Sequence, residues 1–445
     1  MTDASQDPCP PPNGGYGWVC TVVAATINMH SWGFNSAYAV FLAHYLTSDT
    51  FPGSTPLQYA FVGSLSLTFL FLVSPIATYS TQRYGIRPTM MVGVVLETIS
   101  FIAASFATQM WHLFLTQGLL FGMSLGLLFI PTASVVPQWF TTKRSLASGV
   151  SLAGAGLGGG VYSLSAAAMI RTVGLQWAFR ILAVIAFTIN GLGIMLIKDR
   201  HKHVKPNRST MAFSLFTRID YSLLVGFGAF TMFSYFILIF SLANFANSIG
   251  LNSSQAAVIS ALFNFSQAIG RPLFGYFSDS FGRINMAAAG TFATGVLCLA
   301  VWIPTNTYAV TIFFAVSSGL VGGNFWALIA PLMSEVLDLK EAPSGLSLLW
   351  FSLVIPSTFS EPLALEIVGG TGNYLGTQIF TAIMYVTAAA CLGILRGIVI
   401  QRQRKELNHQ RPLPVGCTAG ESSSGEKSDQ KGVALWRCCF SLGKV

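Results

Sequence analysis

Arg271 stands within a long apolar stretch of this 445-residue chain, where a lone charge is costly. Arg271 precedes Pro272 and lies eight residues before Asp279, about 12 Å away if the segment is helical. A guanidinium in that setting can bind a carboxylate through two parallel hydrogen bonds. The alternative is a structural arginine that caps helix carbonyls or extends toward the membrane surface. Arg271 is therefore the leading candidate for an anion-binding residue.

Two titratable side chains, His30 and Glu97, also lie in the middle of apolar segments. A histidine can change its charge near neutral pH, and a carboxyl group within a membrane is a functional hypothesis by default. Both are candidates for carrying a proton with the substrate. A neutral, hydrogen-bonded structural role is the alternative for each, and transport without a coupling ion is a third interpretation. Glu361 and Glu366 come late in an apolar segment and are expected at the outer membrane interface.

Other polar or amphipathic side chains interrupt the apolar segments and are candidates for the wall of a substrate cavity. They are Asn35, Tyr38, Asn324 and Trp326. Hydrogen bonds between neighbouring helices explain these residues equally well, so both interpretations stay open. Asn252 begins an Asn-Ser-Ser acceptor sequence in a short outer loop and is a candidate for glycosylation, although it lies close to the next helix.

The composition excludes most classes of soluble protein. Hydrophobic residues make up 53% of the chain and charged residues 9%, whereas soluble proteins carry about 25% charged residues. The net charge of +8 does not indicate a nucleic-acid partner, because the basic residues lie in short loops between apolar segments. The sequence contains no cofactor loop, metal-ligand motif or nucleophile paired with a base, which predicts a non-enzyme without cofactor or metal.

Twelve apolar segments are long enough to cross a membrane, since about 20 residues span its hydrocarbon core. They cover residues 17–46, 58–80, 88–107, 111–136, 144–170, 176–197, 219–247, 254–277, 286–304, 308–336, 344–367 and 374–400. The sequence therefore predicts an all-α membrane protein with twelve transmembrane helices and membrane lipid as its surroundings.

Basic residues predict the orientation of these helices. If the N-terminus is cytoplasmic, all but three of the 24 Lys and Arg residues fall in cytoplasmic loops or in the C-terminal tail. The exceptions are Arg171, in an outer loop, and Arg180 and Arg271, within spans. Both termini are therefore predicted to be cytoplasmic, and the plasma membrane is the expected location.

An internal repeat relates the two halves of the chain. PIATYSTQRYG (75–85) aligns with PLFGYFSDSFG (272–282), and SGVSL (148–152) aligns with SGLSL (344–348) at nearly the same offset. Duplicated halves are typical of secondary transporters, in which substrate binds near the membrane midplane between them. The predicted organisation is a cytoplasmic segment at 1–16, six-helix bundles at 17–197 and 219–400, a cytoplasmic linker at 198–218 and a disordered cytoplasmic tail at 401–445.

The stretch GRPLFGYFSDSFGRIN resembles the inner-loop signature of the major facilitator superfamily. The resemblance implies two pseudo-symmetric six-helix bundles and a loop that holds them together in one state without touching substrate. The first copy is degenerate, because Gln82 stands where the signature has an aspartate. The residues assigned to this conformational latch are Arg83, Gly85, Arg87, Gly275, Asp279, Gly282 and Arg283.

Four other stretches resemble the monocarboxylate porter family, with wording most similar to its fungal members. They are RYGIRPTMMVG (83–93), WFTTKRSLASGVSLAGAGLGG (139–159), GGTGNYLGTQIF (369–380) and the signature Asn13, Gly14, Gly15, Tyr16, Gly17 and Trp18, which begins with an acidic residue in that family. In the family an Arg-Pro pair like Arg271-Pro272 is thought to face substrate. Gln267 and Ser36 stand where animal members carry the aspartate and lysine linked to proton coupling. Gln267 is therefore kept as a substrate-binding candidate.

These features lead to one principal hypothesis and two alternatives. The principal hypothesis is a secondary active or facilitative transporter of a small organic acid that works by alternating access, with protons as a candidate coupling ion. The first alternative is an efflux pump for a larger fungal secondary metabolite, since the lost charges and many phenylalanines suit a bulky compound. A membrane sensor or membrane enzyme is disfavoured, because a large soluble domain or catalytic motif is expected for those classes.

Overall fold

The computed structural model describes residues 13–48, 51, 53–198, 213–337 and 341–410. Four parts of the predicted organisation lie wholly or mostly outside the described residues: the segment at 1–16, the linker at 198–218, Lys340 and the tail at 401–445. The predictions made for those parts of the chain therefore stay predictions.

In the part of the chain that the structure describes, twelve long helical elements follow one another. They are α1 (Tyr16–Ser48), α2 (Pro56–Leu72 and Ser74–Tyr84), α3 (Ile86–Ala104), α4 (Met110–Trp139), α5 (Arg144–Val173), α6 (Leu175–Leu196), α7 (Ile219–Ser248), α8 (Ser253–Phe281), α9 (Arg283–Trp302), α10 (Tyr308–Val336), α11 (Ala342–Thr371) and α12 (Leu375–Gln410). A short 3₁₀ helix, Phe213–Thr217, precedes α7.

Within the described residues, nine of these helices are long and apolar enough to cross a membrane, and α2 makes ten if its two parts, bent by 41°, form one span. The other two, α1 and α8, have 33 and 29 residues, which is ample length. Their mean hydropathy is lower because they carry polar side chains such as Asn28, His30, Gln267 and Arg271. The predicted all-α architecture is confirmed, and the two most polar spans are those that carry the central polar groups.

Glycines allow the helices of the first bundle to pack backbone to backbone. A Cβ atom at Gly154 of α5 would collide with the carbonyl oxygen of Ala25 in α1, and one at Gly158 would collide with that of Met29. The same side-chain-free contact joins the two bundles, because Gly156 of α5 faces the Asn264 carbonyl oxygen of α8, 2.7 Å from where its Cβ would lie. Small residues let helices approach this closely in membranes.

Three helix pairs connect the bundles most extensively: α5 with α8, α2 with α11, and α5 with α10. In the second pair the hydroxyls of Thr68 and Thr358 share a hydrogen bond of 2.6 Å, and Ser74 Oγ donates to the Ser347 carbonyl oxygen at 3.0 Å. We call the end of the molecule that holds the α2–α3, α4–α5 and α8–α9 connections the basic end. The bundles are in contact both at this end and near the midplane.

Candidate functional site

Arg271 is buried at the contact between the bundles, with 5% of its surface exposed. Its Nη1 donates to the Leu152 carbonyl oxygen of α5 at 2.6 Å, and its Nη2 donates to Gln267 Oε1 at 2.7 Å and Tyr235 Oη at 2.9 Å. Its Nε atom has no hydrogen-bond partner. Among the described residues no carboxylate forms an ion pair with Arg271. The guanidinium is therefore held by neutral acceptors and keeps its positive charge available.

Tyr235 of α7 completes this arrangement, and the sequence interpretation missed it. Its hydroxyl donates to Gln267 Oε1 at 2.7 Å while it accepts from Arg271. A buried tyrosine hydroxyl usually needs a hydrogen-bond partner, so a tyrosine in the middle of an otherwise apolar span was the available signal. Three side chains from α7 and α8 thus form one hydrogen-bonded group.

Unpartnered hydrogen-bond donors surround this group. Besides Arg271 Nε, the buried atoms Gln267 Nε2, Trp326 Nε1 and Trp32 Nε1 have no partner. A buried donor left without an acceptor costs about 1–3 kcal/mol, so four together are unusual in a folded protein. All four lack an acceptor, which gives this part of the molecule an excess of donors that suits an anionic or acceptor-rich ligand.

Aromatic rings from both bundles form the wall beside these donors. The rings of Trp32 and Trp326 lie 5.1 Å apart, and Trp326 stacks on Trp350 at 5.9 Å. Phe129 lies edge-on to Trp326, and Phe71 stacks on Trp350 at 5.7 Å. Trp32, Phe71 and Phe129 belong to the first bundle, whereas Trp326 and Trp350 belong to the second, so these ring contacts join the two bundles.

A break in α10 lies directly against the guanidinium. The helix is interrupted at Gly323, and a Cβ atom there would lie 3.1 Å from Arg271 Nε and 3.3 Å from Gln267 Oε1. Gly270 packs more closely still, because a Cβ atom there would collide with the Leu320 carbonyl oxygen. Glycine at both positions lets α8 and α10 hold the arginine between them.

The other proposed cavity residues divide into two groups. Gln267 and Trp326 lie with Arg271, as described above. Asn324 instead donates to the Ala287 carbonyl oxygen of α9 at 3.2 Å, Asn35 donates to Ser66 Oγ at 3.0 Å, and Tyr38 donates to the Tyr59 carbonyl oxygen at 2.7 Å. These three make hydrogen bonds within their own bundles and are not brought to Arg271.

The two proton-coupling candidates lie close together inside the first bundle. His30 Nδ1 shares a short hydrogen bond with the hydroxyl of Tyr162, which is within electrostatic range of Glu97. Glu97 accepts a 2.8 Å hydrogen bond from Asn190 Nδ2. Glu361 is buried with 7% exposure and accepts from Ser241 Oγ at 3.2 Å, whereas Glu366 is exposed. Their location at the outer membrane interface stays a prediction.

At the basic end, the second copy of the loop motif joins the bundles. The Asp279 carboxylate accepts hydrogen bonds from the backbone N–H groups of Ser145 and Leu146 at 3.2 and 3.0 Å, at the start of α5. Arg283 pairs with Asp279 at 3.2 Å and with Glu335 at 3.0 Å. Gly275 lies against the Ser145 carbonyl oxygen, where no larger residue fits. The hydrogen bonds accepted by Asp279, together with one from Arg144 Nη1 of α5 to Ser334 Oγ of α10 at 2.8 Å, are polar contacts between the bundles at this end.

The first copy forms a different set of contacts. Arg83 and Arg87 are exposed, and Arg87 Nε donates to the Ile197 carbonyl oxygen of the same bundle at 2.9 Å. Gly85 makes the turn between α2 and α3 with a φ of 94°. Their assignment to the latch stays a prediction, since these contacts remain within the first bundle.

The NGGYGW signature ties the N-terminus to the α4–α5 connection. Asn13 Oδ1 accepts from the backbone N–H groups of Thr141 and Thr142 at 2.6 and 3.2 Å. Thr141 in turn accepts from Arg283 Nη2 through its carbonyl oxygen at 3.2 Å. The signature therefore supports the segment of the first bundle that Arg283 contacts.

The remaining signature residues pack against the same connection or lack a contact. Gly17 lies against Trp139, where a Cβ would be 2.9 Å from the tryptophan Cβ, and Trp18 lies edge-on to Phe140 at 5.0 Å. Tyr16 donates to the Leu196 carbonyl oxygen at 2.7 Å. Gly15 has a φ of 58°, and a Cβ at Gly14 would meet nothing within 4 Å.

Asn252 occupies the N-cap of α8. Its side chain accepts from the backbone N–H of Gln255 at 2.8 Å, and Gln255 Oε1 accepts from the Asn252 backbone at 3.1 Å. This capping box already uses the amide side chain, and its glycosylation stays a prediction.

Comparison with known proteins identifies the family. A model of the Major Facilitator Superfamily matches residues 20–219 and 222–442. The probable transporter MCH2 of Saccharomyces cerevisiae is 32% identical over 404 residues, which cover 88% of this chain and 84% of MCH2. The Fujikurins efflux protein of Gibberella fujikuroi is 25% identical over 398 residues, which cover 87% of this chain and 84% of that protein.

A solved structure shows the same fold. The E. coli fucose:proton symporter FucP superposes with a TM-score of 0.65, and the match covers 85% of this chain and 98% of FucP at 13% identity. At that identity the match shows the fold alone. Since the family model spans both bundles, the chain belongs to the Major Facilitator Superfamily and is a multi-pass membrane transporter of small molecules.

Proposed function

We propose that this transporter carries a small organic anion and that Arg271 binds its carboxylate. The observation that carries the proposal is the unpaired guanidinium, buried among donors that lack acceptors. A carboxylate would supply acceptors to Arg271 Nε and the neighbouring Gln267 amide, and it would compensate the buried charge. The aromatic rings of Trp32 and Trp326 would then enclose the organic part of the substrate.

The placement of this site supports alternating access as the mechanism. Arg271 donates to the Leu152 carbonyl oxygen of the other bundle, so separation of the bundles breaks that hydrogen bond and frees a donor for substrate. The donors and the aromatic wall come from both bundles, as expected for a substrate site at the interface of two repeats. Binding and bundle movement are therefore linked through the same side chain.

We also propose membership of the monocarboxylate porter family within the superfamily, because the NGGYGW signature and the Arg271-Pro272 pair match its pattern. The basic end is proposed to be cytoplasmic, with both termini on that side and the plasma membrane as the location, on the basis of the positive-inside rule. Labelling of single cysteines at the basic end in intact cells tests the orientation, and labelling from outside would contradict it.

Efflux of a larger metabolite is the second candidate function. Two observations favour it: the broad aromatic wall formed by Trp32, Trp326 and Trp350, and the similarity to an efflux protein of Gibberella fujikuroi. The two candidates share the donor-rich site and differ in the size of the organic part. Comparison of internal and external metabolites after gene deletion distinguishes them.

Transport by purified protein in proteoliposomes tests the principal proposal. A panel of labelled organic acids should include one that the wild type takes up, and Arg271→Gln should weaken its apparent affinity about 10- to 100-fold, because hydrogen bonds to charged groups contribute about 1.5–3 kcal/mol. Arg271→Lys should recover only part of the lost affinity, since lysine lacks the planar pair of donors. Arg180→Gln, in α6 of the first bundle, is the matched control. Equal uptake by the Arg271→Gln and wild-type proteins would contradict the proposal.

A further inference from the structure

A buried carboxyl–amide pair joins α3 to α6 inside the first bundle. Glu97 and Asn190 are both 0% exposed, and Asn190 Nδ2 donates to Glu97 Oε2 at 2.8 Å. Among the described residues no lysine, arginine or histidine forms an ion pair with Glu97. An ionised carboxylate at such a position would carry a large desolvation cost without a compensating charge.

One oxygen atom of each side chain in the pair lacks a hydrogen-bond partner. Glu97 Oε1 and Asn190 Oδ1 are buried and have no hydrogen-bond partner. Both are acceptors when the carboxyl group is ionised, so neither can satisfy the other. A proton on Glu97 Oε1 would turn that atom into a donor, and Asn190 Oδ1, on the amide that already bonds Oε2, would be the acceptor for it.

Few titratable groups surround the pair. Tyr162 of α5 is within electrostatic range of Glu97 and shares its hydrogen bond with His30 of α1. On α6 the nearest charge is Arg180, about 15 Å along the helix from Asn190, where it stacks on Trp177. The titratable side chains of α2 and α4, and the other one of α3, lie toward the ends of their helices: Tyr59, Tyr79, Arg83, Tyr84, His112 and Arg87. Nothing charged therefore holds Glu97 in its ionised form.

The local backbone is also unusual. Asn190 is the last residue of a π-helical segment, Ala186–Asn190, that interrupts α6. Such segments are rare and occur frequently at functional sites. The irregular turn presents the amide of Asn190 to Glu97.

We propose that Glu97 and Asn190 form a proton-binding site that exchanges its proton during the transport cycle. One proton from water adds to the Glu97 carboxylate at Oε1, and the resulting O–H donates to Asn190 Oδ1. The site lies apart from Arg271, so proton and substrate occupy different places. Its role in driving transport rests on the proposed function, whereas its occupancy by a proton does not.

Infrared difference spectroscopy of the purified protein in nanodiscs tests the site without any substrate. The wild-type spectrum should contain the carbonyl stretching band of a protonated carboxylic acid. Glu97→Gln should remove this band, and Asn190→Leu should shift its frequency. Glu361→Gln is the matched control, because that buried carboxyl accepts from Ser241 in the other bundle and its loss should leave the Glu97 band in place. A spectrum from which Glu97→Gln removes no such band would overturn the proposal.

Uptake with and without an imposed pH gradient tests proton exchange. The wild type and Glu361→Gln should be stimulated by the gradient, whereas Glu97→Gln should lose the stimulation and keep exchange of labelled for unlabelled substrate. Glutamine preserves a neutral hydrogen-bonding side chain, so the variant should still fold. If Glu97→Gln keeps the stimulation by the pH gradient, or if the wild type shows none, the proposal that this site exchanges its proton during transport is overturned. Failure of the wild type to transport any organic acid would contradict the proposed function and leave the infrared result to decide the site.

Discussion

The α2–α3 and α8–α9 turns are two copies of one backbone with different chemistry. Gly85 and Gly282 have φ angles of 94° and 96°, and each donates its N–H to the carbonyl oxygen four residues earlier at 3.0 Å. In the second copy Asp279 reaches the start of α5 and pairs with Arg283. In the first copy Gln82 replaces the aspartate, and its Nε2 has no partner. Duplication has kept the turn in both halves, while only one copy joins the bundles through charged groups.

This difference makes the basic end asymmetric. In the second copy, Asp279 accepts hydrogen bonds from two backbone N–H groups of the first bundle and Arg283 Nε donates to Ser145 Oγ at 3.0 Å. The first copy faces Pro343, Leu346 and Trp350 of the second bundle. An apolar contact can separate without leaving buried charges unpaired. We therefore expect the α8–α9 turn to control how readily the basic end opens.

Removal of the Asp279 carboxylate should have the largest effect. Asp279→Ala deletes two charge-assisted hydrogen bonds and one ion pair, and each such hydrogen bond contributes about 1.5–3 kcal/mol. The equilibrium between a closed and an open basic end should therefore shift toward the open form by tenfold or more. Spin labels at the exposed positions Lys143 and Phe281, one on each bundle, report this opening as a longer distance. Gln82→Ala, at the equivalent place in the first copy, is the control and should leave the distance unchanged. Equal shifts in both variants would contradict the asymmetry.

Replacement of the two turn glycines by alanine should distinguish an effect on stability from an effect on transport. Gly85→Ala and Gly282→Ala both place a side chain at a positive φ that strongly favours glycine, which costs about 1–3 kcal/mol. The unfolding temperature in detergent should therefore fall by similar amounts in the two variants. Only Gly282→Ala should also slow transport, because it displaces Asp279 and Arg283. A transport defect of the same size in Gly85→Ala would show that the first copy also acts as a latch.

Loss of the Asn13 side chain should have the smallest effect of the three. Asn13→Ala removes the acceptor that holds Thr141 and Thr142, with an expected cost of about 0.5–2 kcal/mol by analogy with helix caps. Transport should decline severalfold, since Thr141 accepts from Arg283. Asn13→Asp keeps the acceptor and restores the acidic residue of the family signature, so it should transport at the wild-type rate. A defect in Asn13→Asp equal to that of Asn13→Ala would contradict this role.

The fold was predictable because the membrane constrains sequence strongly. Spans of about 20 apolar residues, broken by loops with basic residues, leave little freedom in the number of helices. The prediction of one span at 58–80 did not include its bend at Val73. The available signal was Ser74-Pro75, because proline is favoured in the first turn of a helix and disfavoured in its interior.

The site was predictable only in part, because apolar helices give no periodic signal of their orientation. Arg271 and Gln267 stood out by chemistry, and they lie together. Asn324 is as polar as Gln267, yet it faces α9. The hydroxyl of Tyr235 gave a signal, because it needs a partner within an apolar span, but the sequence does not show that the partner is Arg271. The direction of a side chain around its helix is set by tertiary packing and cannot be read from type and spacing alone.

Ligand-induced thermal stabilisation of the purified protein tests the central claim, anion binding at Arg271, most directly. Binding to the folded state raises the unfolding temperature, by an amount that grows with ligand concentration over Kd. An organic acid that is transported should stabilise the wild type, its uncharged amide should not, and Arg271→Gln should lose the response to the acid. Equal stabilisation by acid and amide, or an unchanged response in Arg271→Gln, would contradict the account.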